Sequence, residues 1–144
     1  MVINNWSMFY EDDWNIDEVT NYAAFIYLIE FPDSGEHYIG VKQVYKGIKD
    51  YKAVISTSKE SNWETYYSSS KTVKERIEAG ETYRKRILWC YKTTAEALLA
   101  ESVLIGVMGT RWDNLNKAIM VKTRLKKDHG DQFQVLQRII GDLI

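Results

Sequence analysis

Residues 23–41 read AAFIYLIEFPDSGEHYIGV, and their pattern decides the fold. Ala23 to Phe31 are β-branched, aromatic or apolar with one acid and no breaker, a composition that suits a sheet strand. Pro32, Asp33, Ser34 and Gly35 are turn residues. His37 to Val41 supplies a return strand. The pair predicts an antiparallel hairpin, with Tyr27 and Tyr38 near each other across it.

Outward from the hairpin, Tyr83 to Tyr91 predicts a third strand, with Tyr83, Lys85, Ile87 and Trp89 alternating against Arg84, Arg86, Leu88 and Cys90. Ser68, Ser69 and Ser70 precede a helix over 71–79 that Gly80 ends. Thr93 and Glu96 form a capping-box pattern ahead of the most apolar helix, ALLAESVLIGVM, closed by Gly109. Ser61 and Glu64 make a second such pattern. Residues 42–60 predict a lysine-rich loop with a short helix, and 110–116 a polar loop. Residues 117–128 predict a helix with a basic outer face over Ala118, Val121 and Leu125. The last predicted helix, 131–143, puts Phe133, Leu136, Ile140 and Leu143 on one face. Strands and helices together predict an α/β fold, a small central antiparallel sheet flanked by helices.

The 144 residues favour one core, with roughly two thirds of the chain's surface buried. A single cysteine, Cys90, excludes an internal disulfide and a cysteine-rich zinc site. No stretch approaches the roughly 20 apolar residues of a membrane span, and the start carries no secretory pattern. Those absences predict a protein of a reducing compartment, the cytoplasm, without a membrane partner. Phosphate-loop and dinucleotide-binding glycine fingerprints are absent, and His37 and His129 lack metalloprotease or zinc-finger spacing.

Charge is unevenly placed. Residues 1–36 hold eight acids and no Lys or Arg, whereas the remainder holds all 19 basic residues against 12 acids. A basic body attracts a polyanion even when the whole chain is near neutral. This split predicts an acidic extension over 1–22, tied down by Trp6, Tyr10 and Trp14, with a short helix after Asn15 or Asp17. A core over 23–118 and a helical segment over 119–144, packed on that core, complete the organisation. Glu101 lies inside the apolar helix, with Ala97, Leu98, Leu104 and Ile105 at helical spacing around it. A carboxylate there is costly unless it is paired, protonated, metal-bound or at a rim.

The order of these residues resembles that of the GIY-YIG nuclease superfamily, closest in look to small phage-encoded stand-alone members. Phe25-Ile26-Tyr27 and Tyr38-Ile39-Gly40 resemble its paired triplets, with Phe25 in place of the first glycine. Trp63, Tyr66, Tyr67, Ser68, Ser69, Ser70 and Lys71 resemble the W-x-x-Y-x-x-S-S-K stretch of phage members. Glu101 falls on the helix that carries the family's metal-binding glutamate. Asn116 lies close to the place of its conserved asparagine, which Asn114 could also take.

The resemblance implies metal-dependent hydrolysis of DNA phosphodiesters with Mg2+ or Mn2+. Its implied catalytic set is Tyr27, Tyr38, Lys42, Glu101 and Asn116, with the metal on Glu101. Tyr27 resembles the residue that helps activate water, and Tyr38 its phosphate-positioning partner. The charge split and motif order place DNA contacts at Lys42, Lys46, Lys49, Ser69, Lys71, Lys122 and Lys126. One departure stands out. Family members carry an arginine on the helix after the second triplet, or directly after that triplet; residues 41–52 here contain none. Lys42 could take the role, Arg84 or Arg86 could be borrowed in space, or cleavage could be lost, leaving a scaffold that binds DNA or a protein partner. A homodimer is a further option.

Overall fold

The computed structural model describes residues 6–119 and 125–144. Its sheet has four strands: β1 (Ser7–Met8), β2 (Ala24–Phe31), β3 (Glu36–Gln43) and β4 (Arg84–Tyr91), in the order β1-β4-β2-β3. β2 pairs antiparallel with both β3 and β4, while β1 pairs parallel with β4. The sheet is therefore mixed rather than purely antiparallel. The parallel partner comes from the acidic segment: Ser7 and Met8 align with Arg86 and Ile87. Two residues are too few to show an alternation that a sequence could reveal.

The helices are α1 (Lys71–Glu78), α2 (Thr94–Met108) and α3 (Asp131–Leu143). Each starts where local chemistry allows. The Ser70 hydroxyl accepts from the Val73 N–H, and the Thr93 hydroxyl accepts from the Glu96 N–H. Gly80, at φ +89°, ends α1 in a conformation that costs a side chain energy. A 3₁₀ turn over Ile16–Asn21 is capped by Asn15, and another covers Tyr51–Ala53. The Ser61–Glu64 pattern caps nothing. The Ser61 hydroxyl donates to the Gln43 carbonyl at 2.6 Å and closes the base of the lysine-rich loop.

The sheet separates two cores. Ala24, Ile26, Leu28 and Ile39 face α2 and α3. Phe25, Tyr27, Ile29 and Phe31 face Trp6, Val44, Tyr45, Trp63 and Val73. A β-bulge at Ile26/Tyr27 breaks the simple alternation of β4. Leu88 and Trp89 consequently pack in the first core, Ile87 and Cys90 in the second.

One helix expectation is corrected, and one is met except at a single residue. Residues 117–119 and 125–128 are irregular, so the basic helix is not present among the described residues. Ala118 and Leu125 are exposed there, and Val121 lies outside the described residues. On α3 the predicted face holds for Leu136, Ile140 and Leu143, which pack in or against the first core together with buried Ile139, whereas Phe133 is 66% exposed.

Candidate active site on the edge strand

Tyr27, Gly40, Tyr38 and Lys42 share one sheet face, because β2 and β3 pair Phe25 with Lys42, Tyr27 with Gly40 and Ile29 with Tyr38. The glycine is a packing requirement. A Cβ at position 40 would overlap the Tyr27 hydroxyl and ring, so the phenol crosses the strand where only hydrogen leaves room. The Tyr27 and Tyr38 rings lie 6.4 Å apart, a diagonal rather than a direct pair. Trp6 at 5.2 Å and Tyr66 at 6.1 Å close around Tyr27.

Tyr27 is 0% exposed. Its hydroxyl hydrogen-bonds with Tyr66 and Ser68, and burial pushes its pKa well above the ordinary tyrosine value. Tyr38 hydrogen-bonds with Ser68 and Ser69 and is also raised, first by burial. In the protein alone, burial thus favours the neutral form of both phenols.

The outer edge of β3 is closed by three different devices. At His37 the backbone N–H donates to the Asp113 carbonyl, and its carbonyl accepts from the Leu115 N–H, both at 2.8 Å. At Ile39 one side-chain amide replaces a strand: Asn116 accepts from the Ile39 N–H at 2.9 Å and donates to its carbonyl at 2.7 Å. At Val41 the Glu101 carboxylate accepts from the backbone N–H. Unpaired groups on an edge strand cost energy or invite foreign pairing, and these contacts satisfy them. Of the two asparagines, Asn116 closes the strand. Asn114 supports it by accepting from the Asn116 N–H at 2.8 Å, and its amide lies 3.2 Å from His37 Nε2.

Burial pushes the Glu101 carboxyl up to about 7, partly offset by the Val41 N–H. Among the described residues, no group of three or more His, Cys, Asp or Glu could hold a metal. A single carboxylate is nevertheless compatible with Mg2+, which keeps several waters and often takes only one or two protein carboxylates. Glu101 has the hard oxygen donor for such an ion, and its one backbone contact leaves further acceptor positions.

The cations divide clearly. Lys42 Nζ lies 4.2 Å over the Tyr66 ring on the tyrosine face, and burial lowers its pKa. Arg84 and Arg86 are not available for borrowing. They pair across the sheet with Glu30 and Leu28, on the opposite face, and both guanidiniums bind the Glu30 carboxylate. Arg76 is held by Glu36 and Glu81. Ser69, Lys71, Lys46 and Lys49 are exposed, Lys46 and Lys49 on the loop that leaves β3. Lys126 lies beside the groove between α2 and α3, across the sheet from Tyr27, and Lys122 falls outside the described residues.

One supporting residue escaped the sequence reading. Lys85 is 3% exposed, and its ammonium donates to the Glu64 and Tyr66 carbonyls at 3.2 and 2.8 Å. Its Nζ also lies 4.5 Å over the Trp6 ring, and burial pulls its pKa down to about 8. It thus holds the turn that delivers Tyr66 to Tyr27 and Lys42. The available signal was its placement beside Ile87 in the strand alternation, on the apolar side.

Comparison with known proteins follows the same residues. The family described as "Putative endonuclease segE, GIY-YIG domain" matches residues 6–115. Intron-associated endonuclease 2 of Enterobacteria phage T4 is 34% identical over 104 residues, covering 71% of this chain and 35% of that relative. The chain thus spans about a third of the length of that relative. No solved structure matches.

Proposed function

The chain belongs to the GIY-YIG nuclease family, and from that membership we propose that it is a metal-dependent endonuclease hydrolysing DNA phosphodiester bonds. The observation that carries this reading is convergence on β3. Tyr38 and Lys42 project from one face of the strand, Glu101 meets its edge at Val41, and Asn116 fixes that edge at Ile39.

Glu101 would hold Mg2+ or Mn2+, an ion that supplies an activated water and neutralises charge on the phosphate. Lys42 adds positive charge on the same side, without the two-pronged fork of an arginine. Tyr38, partly exposed and neutral, donates to a phosphate oxygen. Tyr27 is sealed beneath it and positions the Tyr66–Ser68 turn through hydrogen bonds. Asn116 is a positioning residue, since both ends of its amide are used by Ile39. DNA backbone contacts come from Lys42, Lys46, Lys49, Ser69 and Lys71, in the cytoplasm. No helix among the described residues is long and apolar enough to cross a membrane.

The test is cleavage of supercoiled and branched DNA with Mg2+ or Mn2+ against an EDTA control. Cutting that requires metal supports the proposal. Folded protein that cuts none of these substrates with either metal overturns it. A second reading, a DNA-binding scaffold that no longer cuts, is favoured by one observation: the arginines flanking the hairpin are committed to carboxylates elsewhere.

Replacing Lys42 and Lys46 together with alanine should weaken DNA binding and flatten its salt dependence. Each lost phosphate contact lowers the slope of log affinity against log salt by about 0.9. Titrations between low and physiological salt read this directly. An unchanged slope would remove both lysines from the interface.

A further inference from the structure

Trp112 is 78% exposed, the most exposed large apolar side chain among the described residues. Yet the turn that carries it is clamped. The Arg111 guanidinium makes two hydrogen bonds to the Asp113 carboxylate, at 3.1 and 3.0 Å. Asp113 is buried, and its carbonyl accepts from the His37 N–H. The Asn114 N–H closes the turn onto the Arg111 carbonyl at 3.2 Å. An indole held outward on a fixed backbone loses little freedom when it meets a partner, which is the property of a preorganised contact.

The turn also fixes where the indole lies relative to the candidate site. His37 and Asn114 form a parallel bridge, and Asn116 bonds to Ile39, so the 112–116 segment runs alongside β3. In that register Trp112 falls beside Gly35, where a Cβ would lie 3.8 Å from its ring. The indole therefore stands at the turn that leads into the segment lining the β3 edge. Lys117 follows, exposed on the same segment.

A rigid exposed aromatic in line with a phosphate-handling edge suits one chemistry above others, the π face of a base. Stacking of this kind tolerates any base but needs that base out of its duplex stack. We infer that Trp112 stacks on an unpaired base near the phosphate at the β3 edge, so that the preferred substrate is DNA with a bulge, branch or other unstacked site. The inference rests on the nuclease reading above and narrows its substrate class.

The full chain and its Trp112→Ala and Trp112→Phe variants would be titrated in EDTA against two labelled 30-mers, one fully paired and one with a single-base bulge. Anisotropy reports affinity, and 2-aminopurine at the bulge reports stacking. Wild type should bind the bulged DNA at least tenfold more tightly and quench the 2-aminopurine. Trp112→Ala should lose about 5- to 150-fold on bulged DNA, the equivalent of one stacked base, and little on paired DNA. Trp112→Phe should retain most of the affinity. Equal binding of both DNAs by wild type, or an alanine variant within twofold of wild type on the bulge, overturns the inference. Metal-dependent plasmid cutting measured on the same preparations tells the two failures apart. If it persists, only the stacking assignment falls; if wild type neither binds nor cuts, both readings fall.

Discussion

Glu101→Gln should reduce metal-dependent cleavage by about a thousandfold, corresponding to the several kcal/mol a catalytic cation contributes. The amide keeps the size of the side chain and can still accept from the Val41 N–H, but it carries no charge to hold a divalent ion. The effect on stability should run the other way. Burial raises the Glu101 pKa from 4.5 to about 7, because the charged form is poorly solvated where it sits. A carboxyl raised on folding contributes stability that is full below its unfolded value and is lost as pH rises through about 7. Metal-free wild type should therefore lose stability between pH 5 and 8 from this group. The glutamine variant should lose that dependence and melt no lower than wild type at pH 8. Added Mg2+ should restore stability to wild type alone, and cleavage should climb with pH through neutrality as the proton yields to the ion. Thermal melts at both pH values, with and without metal, check the sign. Retained cutting by a folded Glu101→Gln protein would remove the metal from this carboxylate.

Gly40→Ala should be strongly destabilising. Its Cβ would occupy space held by the Tyr27 hydroxyl and ring. The ring has no free direction to move, because Trp6, Phe25, Tyr38 and Tyr66 pack around it at 5.2 to 6.4 Å. Overpacking a tight core costs about 1–3 kcal/mol, and this site belongs at the upper end. For a chain of this size the melting temperature should fall by about 10 °C. Any folded fraction should cut poorly, since a displaced Tyr27 also disturbs the turn from Tyr66 to Ser68. Tyr27→Leu should lose stability alone but be less damaging in the Gly40→Ala background. Such coupling identifies the clash as the cause. Independent, additive losses would place the glycine requirement elsewhere.

The hairpin, the third strand and the capped helices are local patterns, and the sequence carried them within a residue or two. The stretch around Tyr27 and Tyr38 is a run of strand formers broken by four turn residues. Ser70, Thr93 and Gly80 mark helix ends through contacts a few residues long. The order of tyrosines, serines, glutamate and asparagine was enough to suggest the family. By contrast, the basic helix expected over 117–128 is absent at 117–119 and 125–128, the part of it that the structure describes. On α3 the predicted stripe packs except at Phe133, which stays exposed.

What the sequence determined by itself was therefore the set of elements and the residue types available for chemistry. Which groups meet was a tertiary decision. A one-residue bulge against β2 fixed the faces of β4, sending Arg84 and Arg86 to Glu30 and burying Lys85 beneath the tyrosines. Whether Asn114 or Asn116 bonds the β3 edge depended on which residue lay opposite Ile39. Ser7 and Met8 found β4 across 79 residues of chain. Contacts within one turn or hairpin follow from backbone propensities that each residue carries. Contacts between distant segments depend on register, and register is settled only when the whole core packs.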